Sequence, residues 1–504
     1  MQKPDILIFM TDQHTSLYSG FMAGPVDTPN MDQLCEDGTC FTEAYTSCPL
    51  CVPARLSMLS ALRPSNTGIF SNADALPDVT PTFLHNLVEA GYETVLCGRM
   101  HFVGRDQRHG FMKRIAKDIT PVTWTYPFEK LQQERGVFAR TFGARWSTDV
   151  IGGGESPVLH YDEYVIQQAL EYLSEPHERP ICLVVGVYAP HFPYVAPEDL
   201  FKKYWERVDL PASWLDETGH PLLKHYVHED ADENTVRGAL AAYLGMIENV
   251  DRQLGKVRDA FDRYCEKRGV EGIFCYISDH GDQCGDRRMF GKETFFEKSA
   301  KIPLIFAGNG IARNRKTDVL ASIMDLGPTL LELAGAKPMM EVDGRSLAGY
   351  MKDGIIENKD NEGNENVVYS EYLERTDGGS RHGIRENAEY SYGLMVRYRQ
   401  YKLITYKGYE EYDLLYDLRH DPEERSNIAA SHPEILKKMR ELAAMIGQPE
   451  RAVRLQKMHD RATQLFVAYE KAMGDVVESE RWQDNPETAR VNPKICIRGL
   501  KNII

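Results

Sequence analysis

The chain has 504 residues, 42% apolar and 27% charged, which suits about two to four domains with a sizeable buried core and excludes a disordered or fibrous protein. Its 59 Lys and Arg against 75 Asp and Glu give a net charge of −16, so general attraction to nucleic acid or an anionic membrane is not expected. A chain of this charge that handles an anion needs a local basic pocket.

The first apolar run, residues 5–10, is too short for a signal peptide and is closed by Asp12. Runs 94–97, 181–188 and 272–277 resemble it: short, β-rich and apolar without alternation, which predicts strands covered on both faces in a parallel sheet. The longest of them is too short to span a membrane. Helical patterns over 82–90, 161–173 and 235–267 lie between, predicting an α/β fold whose ligands sit at the carboxyl ends of the strands. Polar residues follow each strand there: Asp12-Gln13, Arg99-Met100-His101, Pro190-His191 and Asp279-His280.

From 352 to 366 the chain is polar and reads as a linker. Strand-like pieces at 367–372, 393–397, 401–406 and 412–418 precede helical stretches at 433–446 and 450–473. This predicts two units: an α/β domain over 1–365 and a smaller antiparallel α+β domain with a helical tail over 366–504. Ten cysteines in so long a chain do not make a disulfide scaffold, and reduced thiols in a cytoplasm are the simpler expectation.

The most informative segment is 48–62. Pro53 suits the first turn of a helix, and Leu56, Leu59 and Leu62 give that helix an apolar stripe. Cys51 then lies at a helix N-terminus that favours an anion, with Arg55 one turn on. Cys48-x-x-Cys51 alone also fits a redox pair, a half zinc site or two buried structural thiols, but no thioredoxin-like pattern and no second closely spaced Cys/His pair accompanies it.

Cys51-x-Pro53-x-Arg55 resembles the signature of the type I sulfatases of the alkaline phosphatase superfamily, whose cysteine is oxidised to formylglycine. Cys48 cannot fill that place, because Leu50 and Val52 stand where proline and arginine are required. The resemblance runs from Asp5 to about Asn427 and implies a large, mostly parallel sheet sandwiched by helices. It also implies a divalent cation held by Asp12, Gln13, Asp279, His280 and residue 51. Gln13 and His280 resemble the branch that includes choline-sulfatases and phosphonate monoester hydrolases. Oxygen ligands suit calcium first, then magnesium, and the imidazole adds manganese.

The remaining implied site residues are Arg99, where the family usually has lysine, with His101, His191 and Lys292 for charge stabilisation and proton transfer. Asn72 corresponds to a polar residue near the nucleophile. The implied partners are a formylglycine-generating maturase and a small-molecule sulfate ester, hydrolysed to alcohol and sulfate. Trp124, Tyr126, Trp146 and Asp149 could hold a quaternary ammonium, and Arg375–Arg385 a sulfated sugar. Hydrolysis of a phosphonate monoester or phosphodiester at the same site, and non-catalytic binding of a metal or sulfated ligand, stay open. So does the oligomeric state, a homo-oligomer included. A phosphatase-type relative should carry Ser or Thr at position 51.

Overall fold

The computed structural model describes residues 3–125, 147–352, 367–376, 388–474, 481–482 and 492–498. Its strands are β1 Ile6–Asp12, β2 Gly38–Tyr45, β3 Glu93–Gly98, β4 Lys113–Ala116, β5 Ile151–Glu155, β6 Ile181–Pro190, β7 Tyr194–Ala196, β8 Ile273–Ser278, β9 Leu304–Gly308 and β10 Arg315–Ser322. Beyond the linker follow β11 Val367–Arg375, β12 Tyr390–Tyr398, β13 Tyr401–Tyr406, β14 Leu414–Asp417 and β15 Asn492–Arg498.

The central sheet has eight strands in the order β10-β2-β9-β8-β1-β6-β3-β4. Every neighbouring pair is parallel except the two that β9 makes. Non-alternating strands follow from burial on both faces. Along β1, Leu7 and Phe9 enter one core while Ile6, Ile8 and Met10 enter the other. β6 divides likewise, with Ile181, Leu183, Val185 and Val187 on one side and Cys182 and Val184 on the other. The first core lies under the helices Pro157–Ser174 and Glu233–Arg268, the second under Cys51–Ser60, Phe83–Glu89 and Leu326–Leu333.

β11 to β14 form a separate antiparallel meander that packs through Phe295, Phe296 and Tyr45 onto the first unit. The helices Pro433–Ile446 and Pro449–Met473 cover its other side through Met439, Ala443 and Ala452. The helical tail expected at the end of the chain stops at Met473, and residues 492–498 return as β15 to pair with β5. No helix among the described residues is long and apolar enough to cross a membrane. Of the expected linker at 352–366, Lys352 is exposed and the rest lies outside the described residues.

Candidate active site

The neighbouring strands β8, β1, β6 and β3 end side by side, so the polar residues after each converge. Thr11 pairs with Ser278 across the β1–β8 ladder, which sets Asp12-Gln13 against Asp279-His280. Opposite them begins the helix Cys51–Ser60, two residues before Pro53. It is buried on all sides, so Cys51 occupies its first position facing the strand ends and Arg55 stands one turn below. Asn72 donates no ligand atom there; its side-chain oxygen accepts the Val52 N–H at 3.0 Å and satisfies one orphan donor of that helix.

Asp12, Cys51, Asp279 and His280 are all buried, and each offers a ligand atom within 4.8 Å of the others. The carboxylates divide their oxygens. Arg55 takes one from each, Nη2 to Asp12 Oδ2 at 2.9 Å and Nε to Asp279 Oδ2 at 2.8 Å. The other oxygens face His280 Nε2, Asp12 Oδ1 at 3.9 Å and Asp279 Oδ1 at 3.7 Å. Cys51 Sγ lies 3.2 Å from His280 Nε2 and 3.8 Å from Asp12 Oδ1. Two carboxylates, an imidazole and the residue-51 side chain converging in a buried pocket fit a divalent cation. Gln13 adjoins them in a left-handed conformation (φ 67), its Oε1 accepting from Lys292 at 2.6 Å and its Nε2 donating to Asp282.

Two further basic groups border the cluster. Arg99 Nε donates to Asp12 Oδ2 at 2.6 Å, and its guanidinium lies 4.5 Å over the Tyr188 ring. Arg99 Nη2 meets His101 Nδ1 at 3.0 Å, so the proton of a neutral His101 sits on Nε2. On the other side Lys292 Nζ lies 2.6 Å from His191 Nε2, whose Nδ1 is 2.8 Å from the Phe192 carbonyl. That arrangement has Nδ1–H donating to the carbonyl and Nε2 accepting from the ammonium.

Electrostatics follow from burial and these neighbours. Burial opposes charge on Asp12, yet Arg99, His191, Arg55 and Lys292 hold its carboxyl well below the usual range. Burial and then the Lys292 ammonium push His191 well below the ordinary histidine value; burial and Arg99 do the same to His101. Both rings are neutral at neutral pH. His280 goes the other way, because Asp279 and Cys51 outweigh its burial. Burial and Asp12 raise the Cys51 thiol, but Lys292 and His280 outweigh them and lower it.

Sequence reasoning missed the carboxylates that hold this arrangement. Asp282 accepts from Tyr194 Oη and from the Cys284 and Gly291 N–H groups, fixing the loop that delivers Lys292. Asp162 accepts the Tyr188 and Ala189 N–H groups at 2.7 and 3.0 Å, where β6 leaves its ladder before His191. Burial raises the Asp162 carboxyl to about 7. Asp282 lies on the loop that follows Asp279-His280, whose chain position was the one signal for it; Asp162 lies inside the helix Pro157–Ser174 and had none. Among the choline candidates, Trp124 stacks on Phe466 and donates to the Ala73 carbonyl. Asp149 is half-buried, Tyr126 and Trp146 lie outside the described residues, and so does 377–385 of the sugar candidate segment.

A sulfatase family model matches residues 4–336, and a model of the C-terminal part of N-sulphoglucosamine sulphohydrolase matches 285–448. The chain is 33% identical to the choline-sulfatase of Rhizobium meliloti over 459 residues, 85% of this chain and 82% of that one. It is 25% identical to an arylsulfatase of Clostridium perfringens over 470 residues, 85% and 91% of the two chains. Among solved structures it resembles the phosphonate monoester hydrolase of Agrobacterium radiobacter, with TM-score 0.70, 22% identity and coverage of 91% and 96%. A structure from Bacteroides thetaiotaomicron gives TM-score 0.67 at 24% identity, covering 98% and 99%. The match to the family model over most of the chain, together with the choline-sulfatase relative, makes this chain a member of the sulfatase family and a sulfuric ester hydrolase.

Proposed function

We propose that residue 51 is the nucleophile, in its formylglycine form, and that the chain cleaves a small sulfate monoester to alcohol and inorganic sulfate. The observation that carries this reading is the position of Cys51 Sγ, 3.2 Å from His280 Nε2 and 3.8 Å from Asp12 Oδ1 at the mouth of a helix N-terminus. Here Sγ stands in for an oxygen of the modified side chain. Formylglycine there would supply an aldehyde hydrate, with one hydroxyl to attack sulfur and the other to expel sulfate as the carbonyl re-forms. Asp12, Asp279 and His280 would hold a divalent cation with residue 51, calcium first and magnesium or manganese next, and Gln13 is its proposed fifth partner. Bound there, it supplies positive charge beside the nucleophile and the sulfate oxygens.

The other roles fall to this chain's own cations and imidazoles. Arg55, Arg99 and Lys292 balance the charge of the sulfuryl group. Lys292, its ammonium held by His191 Nε2, donates the proton to the departing alkoxide, and His191, neutral with Nδ1–H on the Phe192 carbonyl, orients that ammonium. His101, turned by Arg99, presents its Nε2–H as a hydrogen-bond donor to the residue-51 hydrate. Asn72, half-buried beside Val52, keeps the nucleophile's helix start in place for substrate. A maturase supplies the modification, and the buried thiols Cys97, Cys182 and Cys275 favour a reducing compartment such as the cytoplasm.

Cys51→Ala abolishes sulfate release while the thermal transition is kept, and mass analysis of the peptide holding residue 51 finds an aldehyde in active protein. Unchanged turnover in Cys51→Ala overturns the reading. The second reading is a phosphonate monoester or phosphodiester as substrate, whose tetrahedral anionic head group meets the same cations Arg55, Arg99 and Lys292. Rates on an aryl sulfate and an aryl phosphonate monoester, measured side by side, decide between them.

A further inference from the structure

β3 ends at Gly98 (φ 96), and the chain turns sharply through Arg99 and Met100 into His101, itself left-handed at φ 62. A left-handed histidine is costly unless its surroundings hold it. The turn takes the Met100 and His101 N–H groups out of the sheet, and both point at one carboxylate, Asp118 Oδ2, at 3.0 and 2.8 Å. Asp118 lies just beyond β4, the edge strand beside β3. Its own place is fixed: Oδ1 accepts from Thr120 N at 2.9 Å and Thr120 Oγ1 at 2.6 Å, and its carbonyl accepts from Trp482 N at 2.7 Å. Arg99 Nη1 faces Oδ1 at 3.8 Å, so the guanidinium is held between Asp12 on the reacting side and Asp118 behind. The Tyr188 ring closes a third side.

We infer that Asp118 is a positioning residue of the reaction: by gripping the turn after β3 it fixes both the direction of the Arg99 guanidinium and the presentation of the His101 ring. Its catalytic consequence rests on the sulfatase reading above; its structural grip does not. The carboxylate is suited to this because one oxygen serves two backbone donors and the other serves Thr120, with its charge left for Arg99. An asparagine can serve only one of these donor sets and has no charge for the arginine.

The test uses the full-length, formylglycine-bearing protein. In Asp118→Asn, kcat falls about tenfold and in Asp118→Ala about a hundredfold, while KM moves less than about threefold, because displaced charge-stabilising groups act mostly in the transition state. Calcium binding, measured by titration calorimetry, is unchanged. Amide exchange at residues 100–101 speeds up about tenfold in Asp118→Ala, while the helix Cys51–Ser60 keeps its protection. Thr120→Val, which loosens the carboxylate but keeps its charge, gives an intermediate loss and carries the test together with Asp118→Asn should the alanine variant not fold. Wild-type kcat in the folded variants overturns the inference, as does loss of protection that spreads equally over the nucleophile's helix. Wild-type protein that turns over no sulfate ester sinks the sulfatase reading, and exchange at 100–101 then still decides whether Asp118 holds the turn.

Discussion

Arg55 is the side chain on which the buried charges balance. Wholly enclosed, it separates Asp12 from Asp279, and without it two carboxylates face each other in a buried pocket. Removing one partner of such a group costs about 3–5 kcal/mol, because the remaining charge is uncompensated. Arg55→Ala therefore lowers the unfolding free energy read from urea titration by an amount of that size, with a lower midpoint, and millimolar calcium restores part of it if the cluster binds the cation. An unaltered midpoint contradicts this charge balance. The pairing of Arg55 with Cys51 was legible because both lie on one helix turn, and Asp12 and Asp279 because each follows an apolar strand. Asp118 and Tyr188 were not, since what gives them a role is strand order: β4, β3 and β6 lie side by side, although 64 residues separate β4 from β6.

Among the elements, strands buried on both faces announced themselves. The runs at 5–10, 94–97, 181–188 and 272–277 all lie within or against observed strands, and the meander β11–β14 falls where its four pieces were read. The edge and near-edge strands escaped for physical reasons. β2 and β10 carry Thr, Glu, Arg, Lys and Asp because each is partly exposed, and β5, with the sequence IGGGE, has almost no side chains from which to read a period. β9, LIFAG, did carry an apolar signal, and its antiparallel direction came only from the sheet. Gly98 at the end of β3 is an element-scale constraint: a Cβ there would lie 2.3 Å from the Gly186 carbonyl oxygen. Gly98→Ala must part the β3–β6 ladder and carry Arg99 and His101 with it. We expect a clear fall in melting temperature together with about a hundredfold loss of kcat. Gly91→Ala, also at positive φ but with nothing within 4 Å of the added carbon, costs only the conformational strain of about 1–2 kcal/mol and leaves kcat alone. Equal kcat in the two variants contradicts the account.

At the scale of the whole molecule, the meander is joined to the α/β unit by buried charge. Lys402 reaches Glu297 and Glu424, both at 2.8 Å, and Arg397 Nε donates to Tyr45 Oη at 3.2 Å. Burial works against the Glu297 carboxylate, but Lys402, Lys301 and Arg397 pull its pKa down to about 2. Lys402→Met strands two acids and lowers stability by about 3–5 kcal/mol, read from denaturant unfolding. The proposed division near residue 365 predicts that limited proteolysis first cuts there, and that the two units then stay associated through this network. His220 sits at the same seam, its ring 4.7 Å from that of Tyr406 and its Nδ1 accepting from Leu222 N. Burial lowers its pKa from 6.5 to about 4. The unfolded chain therefore takes up a proton that the folded chain refuses, so stability present above pH 6.5 is lost as pH falls toward 4, by up to about 3 kcal/mol. In His220→Asn the stability–pH curve flattens in that window; an unchanged slope contradicts the assignment.

Enclosure of the residue-51 side chain, only 1% exposed, sets an order of events. His101, His191 and Lys292, the groups that border it, are themselves buried, which leaves no room for another protein's reactive centre. On the proposed reading, conversion of this thiol then falls while the polypeptide is still open, so chain compaction and maturation race each other. A molecule that closes first is sealed as an inert twin, chemically one side chain away from the working one and beyond later repair unless it unfolds.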